Sequence, residues 1–389
     1  MALFFLFISL FFFVKELSKK RLKERILVAV SFGIMVTMMF LYESYVENQC
    51  QWQYGVPFND DTGWVFKAAT ALSEGTPIGE LYKLVLSSTY DLDNRALSLT
   101  NLGQYIYVVF SWLFLYAPVI DLRLNLYLLY ITQIIIVLYS GIKLADTIDI
   151  VYSKYGSKKI HSLIFLLFCF CPLILFNSFK LLRETFFAFF VVQFFYYSFK
   201  KKLVPSLIFA FLAVLFRPLI ICLIIPLFLY SINRKVGIVS TIAIMLILLF
   251  SNSILSLAAK AVGWSYNVGS IEVSEMFHLL MFPNIVNQTK NILEIGNNPS
   301  YVTIYYFAQS VWNVITLLLF LLGAICLYKK TIDWFFWLIL FIVSLMVYCV
   351  PYSIENMTPR YKFIYLIPYF IIIPQFLAIR RKGSFVRPK

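Results

Sequence analysis

Two adjacent carboxylates stand in the run Pro57-Phe-Asn-Asp-Asp-Thr-Gly-Trp-Val-Phe-Lys-Ala-Ala-Thr-Ala-Leu-Ser-Glu-Gly75. Asp60 or Asp61 is placed to cap a helix that opens after the pair and closes at Gly75. A cap uses one carboxylate, which leaves the other to act as a general base or, with its neighbour, to hold a divalent cation such as Mg or Mn. A second constellation is Arg183-Glu184, between the segment CPLILFNSFKLL and the next apolar run. It reads either as a snorkelling arginine beside a glutamate at the positive end of a helix, or as an arginine that binds phosphate while Glu184 positions it or a substrate hydroxyl. Arg217 lies inside an apolar stretch with no acid nearby in sequence, where an unpaired charge costs at least about 2.5 kcal/mol. It therefore needs a partner, either Glu184 or a lipid-linked phosphate. Arg360, Tyr361 and Lys362 precede FIYLIPYFIII and suit either an interfacial anchor or a clamp on phosphate or pyrophosphate. His278, in the polar stretch 260–302, is either a base or a solvated loop histidine.

The elements that must position these groups follow from composition. Of 389 residues, 61% are hydrophobic and 13% charged, with a mean hydropathy of +0.83, so no large soluble domain fits in the chain. A bilayer crossing takes about 20 apolar residues. Apolar runs near that length cover about 26–44, 103–120, 124–145, 161–179, 184–199, 237–259, 303–328, 332–350 and 361–379. The stretch 203–232 is too long for one comfortable crossing and is interrupted by Arg217-Pro218, so it reads as a hairpin of two short helices with Arg217 at the bend. The fold class expected is all-α, a polytopic integral membrane protein of about 10–12 transmembrane helices. Its single domain, 1–389, divides into N-terminal helices (1–44), an acidic outer first loop carrying surface helices (45–100), central helices (101–259), an outer loop (260–302), and C-terminal helices with a basic cytoplasmic tail (303–389).

The net charge of +14 is gathered in short clusters between apolar runs, with six basic residues in 15–25, three in 154–159 and three in 200–202. That distribution is a positive-inside signature and excludes a nucleic-acid footprint. It places Lys180 to Glu184, Arg217 and Ser353 to Arg360 together at the outer face. Loop 45–100 is acidic, with Glu47, Asp60, Asp61, Glu74, Glu80, Asp91 and Asp93 against Lys67, Lys83 and Arg95. With 45–100 outside and 154–159 inside, one of the segments 103–120 and 124–145 does not span, and a surface or re-entrant helix at 103–120 restores the parity. The N-terminus lacks a basic n-region and a cleavage site and does not read as a signal peptide. Of six cysteines only Cys50 falls in a loop, and neither disulfide nor zinc spacing is present. Asn287-Gln-Thr289 is a glycosylation sequon that matters only in a eukaryotic secretory pathway. No P-loop, Rossmann fingerprint, HExxH or GxSxG context occurs.

This arrangement resembles the GT-C superfamily of membrane glycosyltransferases, which take a sugar from a polyprenyl-phosphate donor at the outer face. An acidic pair in the first outer loop precedes a surface helix with small residues and a glycine, here Asp60-Asp61, Ala68-Ala69, Ala71 and Gly75, with Trp64 as the aromatic that follows the acid. The Arg183-Glu184 pair after a helix carrying Pro172 and Asn177, the Phe216-Arg217-Pro218 triplet, and Arg360-Tyr361 with Pro368 further in are similar to features of the same superfamily. More distantly, the Arg-Glu and Arg-Tyr features resemble the O-antigen and capsular polysaccharide polymerases. The resemblance implies Asp60 or Asp61 as the catalytic base.

The function expected is transfer of a sugar from a polyprenyl-phosphate- or pyrophosphate-linked donor to a glycan or lipid-linked acceptor, at the outer face of a bacterial plasma membrane. The displacement would be single and inverting, with Arg217, Arg360 and Lys362 stabilising charge on the leaving phosphate and Arg183, Glu184 and Tyr361 completing the site. A metal would have Asp60 and Asp61 as ligands, and nothing requires one. The alternatives are a repeat-unit polymerase, which the loop 260–302 favours, and a lipid-linked glycan flippase or other transporter. Transporters show internal repeats and ionisable residues along a path; here no repeat is found and the charges gather at one face.

Overall fold

The computed structural model describes residues 2–50, 61–77, 99–116, 121–152, 161–181, 183–217, 220–250, 283–295, 301–330 and 334–349. Their regular structure is helical, with no strand among the described residues. In chain order the helices are α1 (Ala2–Leu17), α2 (Leu22–Cys50), α3 (Asp61–Ser73), α4 (Leu99–Tyr116), α5 (Leu122–Tyr152), α6 (His161–Cys169), α7 (Pro172–Asn177), α8 (Glu184–Phe199), α9 (Leu203–Phe216), α10 (Ile221–Ile232), α11 (Arg234–Phe250), α12 (Ile285–Ile295), α13 (Tyr301–Lys330) and α14 (Trp334–Cys349). Three of them, α2, α5 and α13, are long and apolar enough to cross a membrane over Leu22–Glu47, Leu122–Val151 and Thr303–Ile325. Shorter apolar helices occupy Tyr105–Tyr116, Leu203–Phe216, Ile221–Ile232 and Phe335–Val347.

Helix α5 is the axle of the assembly, since α1, α2, α4, α6 and α8 all pack against it. Its polar residues explain how so apolar a helix carries buried hydroxyls. Thr132, Ser140 and Thr147 each donate back to a carbonyl of their own helix at 2.7 Å, so they are satisfied without reaching a neighbour. Two amides reach outward instead: Asn125 Nδ2 donates to Leu115 O at 2.8 Å, and Gln133 Nε2 to Lys180 O at 3.1 Å. Charges collect at its two ends. Near the start, Arg123 Nη2 meets Glu47 Oε2 at 2.7 Å. Toward the other end, Lys143 Nζ meets Glu16 Oε1 at 2.8 Å, Asp146 pairs with Lys20, and His161 Nδ1 lies 3.0 Å from Asp149 Oδ2. The 23 residues from Arg123 to Asp146 make about 35 Å of helix. Helix α2 therefore runs antiparallel to α5, from Lys20 beside Asp146 to Glu47 beside Arg123.

The remaining elements form hairpins shorter than this axle. The apolar run 161–179 is one stretch by hydropathy, but it breaks into α6 and α7 because Pro172 removes a helix N–H and holds Cys171 extended at φ −58°, ψ 120°. The chain turns at Ser178–Arg183 and returns as α8. Helices α9 and α10 are the expected hairpin over 203–232, with Arg217 between them. The run 103–120 becomes α4, which starts at Leu99 with Thr100, Asn101 and Gln104 in its first turns. A second group of α10, α11, α13 and α14 packs alongside, with Gly237 of α11 set close against α10, where a Cβ would come within 2.4 Å of Tyr230. Within 260–302, α12 packs against α13.

The turn between α8 and α9 carries a conformational cost. Lys202 N donates to Tyr197 O and Lys201 N to Ser198 O, both at 3.0 Å, which closes α8 in a paired capping motif whose pivot, Lys201, has φ 56°. The same motif closes α3 at Gly75, φ 93°, where Thr76 N donates to Ala71 O and Gly75 N to Leu72 O. Glycine adopts this conformation without penalty and lysine does not. Lys201→Gly is expected to raise stability by about 1 kcal/mol, seen as a higher thermal midpoint of the purified protein; an unchanged or lower midpoint would show that the lysine is held there by contacts worth more than the strain.

Candidate functional site

Two of the sequence-nominated residues meet at the tips of the two hairpins. Glu184 is the first residue of α8, and Arg217 stands just past the last residue of α9 in an extended conformation at φ −148°, ψ 92°. Arg217 Nη2 and Glu184 Oε1 are 2.6 Å apart. Of the two partners open to Arg217 from sequence, the carboxylate of Glu184 is the one it has. The pair is deep: Glu184 is 2% exposed and the Arg217 side chain 17% exposed. Its second oxygen, Oε2, is buried and accepts no hydrogen bond. The glutamate also sits where the exposed N–H groups of a helix start favour negative charge.

Neighbouring elements fix both tips. The turn before Glu184 is held from α5, where Gln133 Nε2 donates to Lys180 O at 3.1 Å and lies 3.4 Å from the Tyr107 hydroxyl of α4. The first turn of α8 is tied to the end of α7 by Thr185 Oγ1, which donates to Asn177 O at 3.4 Å. Arg217 is held by its own backbone N–H, which donates to Ala213 O at 2.9 Å, and by the close approach of α4. At Gly103 a Cβ would stand 2.5 Å from Phe216 Cα and 2.7 Å from Leu215 O, so only glycine lets α4 lie against the residues that carry Arg217. Gln133 is ten residues from Arg123 and thirteen from Asp146, which sets the tip partway along the axle, about 15 Å from one charged end and about 20 Å from the other.

Arg183 precedes Glu184 in the helical region at φ −68°, ψ −11°, half-buried. Lys180 lies three residues earlier, its Nζ 5.9 Å from the centre of the Tyr305 ring of α13. Lys180 and Arg183 thus lie four residues and one residue before Glu184 in the chain. Asp60, Arg360, Tyr361, Lys362 and His278 lie outside the described residues, and Asp61 is described only as the first residue of α3. Among the described residues no group of three or more His, Cys, Asp or Glu is arranged to hold a metal ion, and Cys169 and Cys222 are free thiols.

Sequence reasoning missed Gln133, Tyr107, Thr185 and Gly103. Gln133 carried one signal, an amide within an apolar run. Its partner, a carbonyl 47 residues away, carried none. Comparison of the chain with family models, with curated proteins and with solved structures gives no match.

Chemically, the tip offers a buried carboxylate with one oxygen engaged and one without a hydrogen bond, joined to a guanidinium. Removing one partner of a buried pair strands the other charge, at a cost of about 3–5 kcal/mol. Glu184→Gln and Arg217→Gln are each expected to destabilise by that order, and the double variant by clearly less than the sum. Denaturation of the detergent-purified proteins measures this; additive losses would mean that the two groups do not interact energetically.

Proposed function

We propose that this chain is a polytopic membrane enzyme of cell-surface glycan assembly, which transfers a glycosyl group from a polyprenyl-phosphate-linked donor to an acceptor at the outer face of a bacterial plasma membrane. The observation that carries the reading is the buried Arg217–Glu184 pair, which sets a guanidinium, the group suited to a leaving phosphate, where the two hairpin tips meet.

The membrane reading has three supports. Helices α2, α5 and α13 have the length and apolarity of crossings. The charged residues of α5 stand at its two ends, about 35 Å apart, against a hydrocarbon core of about 30 Å. Exposed apolar side chains, among them Phe4, Phe7, Phe11, Phe12, Leu203, Val204 and Phe211, form faces that suit lipid. In this orientation Lys20, Asp146 and the Lys200–Lys202 turn are cytoplasmic, and the Arg123–Glu47 end is external. The apolar part of α4, Tyr105–Tyr116, is short for a crossing, which favours α4 as the segment that does not span. About 10–12 crossings remains the count for the whole chain.

In the reaction, an acceptor hydroxyl attacks the anomeric carbon of the donor sugar. The bond from that carbon to the phosphate oxygen breaks, and the hydroxyl proton passes to a carboxylate. Asp60 or Asp61 is the proposed base, with Arg360, Tyr361 and Lys362 at the external mouth and Arg183 and Arg217 receiving the phosphate charge. Glu184 holds Arg217 in place and presents its open oxygen to a substrate hydroxyl or proton. A second reading, a repeat-unit polymerase acting on a pyrophosphate-linked oligosaccharide, is favoured by one observation: the acid brought to the arginine is Glu184, a residue of the Arg-Glu feature that resembles those enzymes.

Surface glycan from a strain lacking the protein, compared with strains carrying Asp60→Asn, Asp61→Asn or Arg217→Ala, separates the readings. Loss of one sugar from chains that remain long, reproduced by an aspartate variant, is expected for the transferase. Accumulation of single repeat units identifies the polymerase, and glycan unchanged in length and composition in the deletion strain contradicts both.

A further inference from the structure

A second buried acid lies apart from the hairpin tips. Glu43 stands on α2, one turn before Glu47; it is 3% exposed, and neither of its carboxyl oxygens has a hydrogen-bond partner. The charged and titratable groups that face it are Tyr127 and Arg123 of α5 and Glu47 of its own helix, with Tyr42 and Tyr130 close by. Arg123 is committed elsewhere. Its Nη2 bonds Glu47 Oε2 at 2.7 Å, its Nε donates to the Tyr127 hydroxyl at 3.1 Å, and its side chain is 45% exposed. An ionised Glu43 would thus be a carboxylate taken out of water, with the Tyr127 hydroxyl as its nearby donor and beside a second carboxylate. Desolvation, the largest effect, and the like charge of Glu47 oppose that state, against the Tyr127 hydroxyl and the Arg123 charge, which favour it; the neutral acid carries no desolvation penalty of that size.

We infer that Glu43 is a proton-binding site, a carboxylic acid that holds its proton inside the bundle and exchanges it through the Tyr127 hydroxyl. That hydroxyl accepts from Arg123 and has its own hydrogen to give. On release, the O–H bond of Glu43 breaks and its proton passes to the Tyr127 oxygen, while the Tyr127 proton leaves to water at the Arg123–Glu47 end; the net change is one proton from Glu43 to solvent. The site adjoins the hairpin that carries Glu184, because the ring of Tyr42 packs against Phe176 and Phe179, 5.8 Å and 6.1 Å between centres.

The infrared C=O stretch of a protonated carboxylic acid, recorded on the purified full-length protein at neutral pH, tests this. The band is expected in the wild type, lost in Glu43→Gln and retained in Glu184→Gln. A spectrum in which Glu43→Gln removes intensity only from the carboxylate bands overturns the assignment. Glu43→Asp keeps an acid at the position and guards against a Gln variant that does not fold: it is expected to shift the band, and an unmoved band overturns the assignment by itself. Neither result depends on the glycan phenotype.

Discussion

The ion pair between Arg217 and Glu184 imposes the constraint from which the rest of this structure follows. A guanidinium and a carboxylate can sit inside an apolar bundle only if they meet each other with good geometry, because each alone costs several kcal/mol to bury. Meeting requires two hairpins whose tips coincide. Helix α8 must start at the same place where α9 ends, and the flanking helices must hold both tips there. Gln133 supplies the hold from α5, Thr185 from within the α7–α8 turn, and Gly103 makes room for α4 against Leu215 and Phe216.

The same constraint separates structure from chemistry. A buried pair with every polar atom satisfied would be an anchor only. Here one carboxylate oxygen has no hydrogen bond, and its partner is a guanidinium. A guanidinium suits an anionic ligand, and under the proposed membrane reading the ligand with a fixed anionic group and an apolar tail is a lipid-linked phosphate. The charged residues at the two ends of α5 have a different part: they set where the apolar section begins and stops, and Lys201 accepts a strained conformation in a turn where three consecutive lysines keep positive charge together.

Much of this was legible in the chain itself. The interruption at Arg217-Pro218 marked a hairpin, the isolated arginine demanded an acid, and Glu184 was one of the two partners weighed. Gly75 marked the end of α3 because glycine alone adopts that closure at no cost. What stayed hidden was set by contacts between distant segments. Nothing local reveals that Gly103 lies against Phe216, or that Gln133 reaches the carbonyl of Lys180. Pro172 was visible as a residue, yet hydropathy alone runs on through it, and only backbone geometry breaks the segment into α6 and α7. Glu43 had no signal at all, since an acid near the end of an apolar run ordinarily points to water.

Whether the Arg217–Glu184 pair takes part in the reaction is decided by glycan assembly in the Glu184→Gln, Arg217→Gln double variant. Removing both charges leaves no stranded ion, so the protein is expected to fold and reach the membrane at wild-type abundance. Cells carrying it are expected to make surface glycan indistinguishable from that of the deletion strain. Wild-type glycan from this variant would rule out a role of the pair in the reaction and reduce it to a structural anchor.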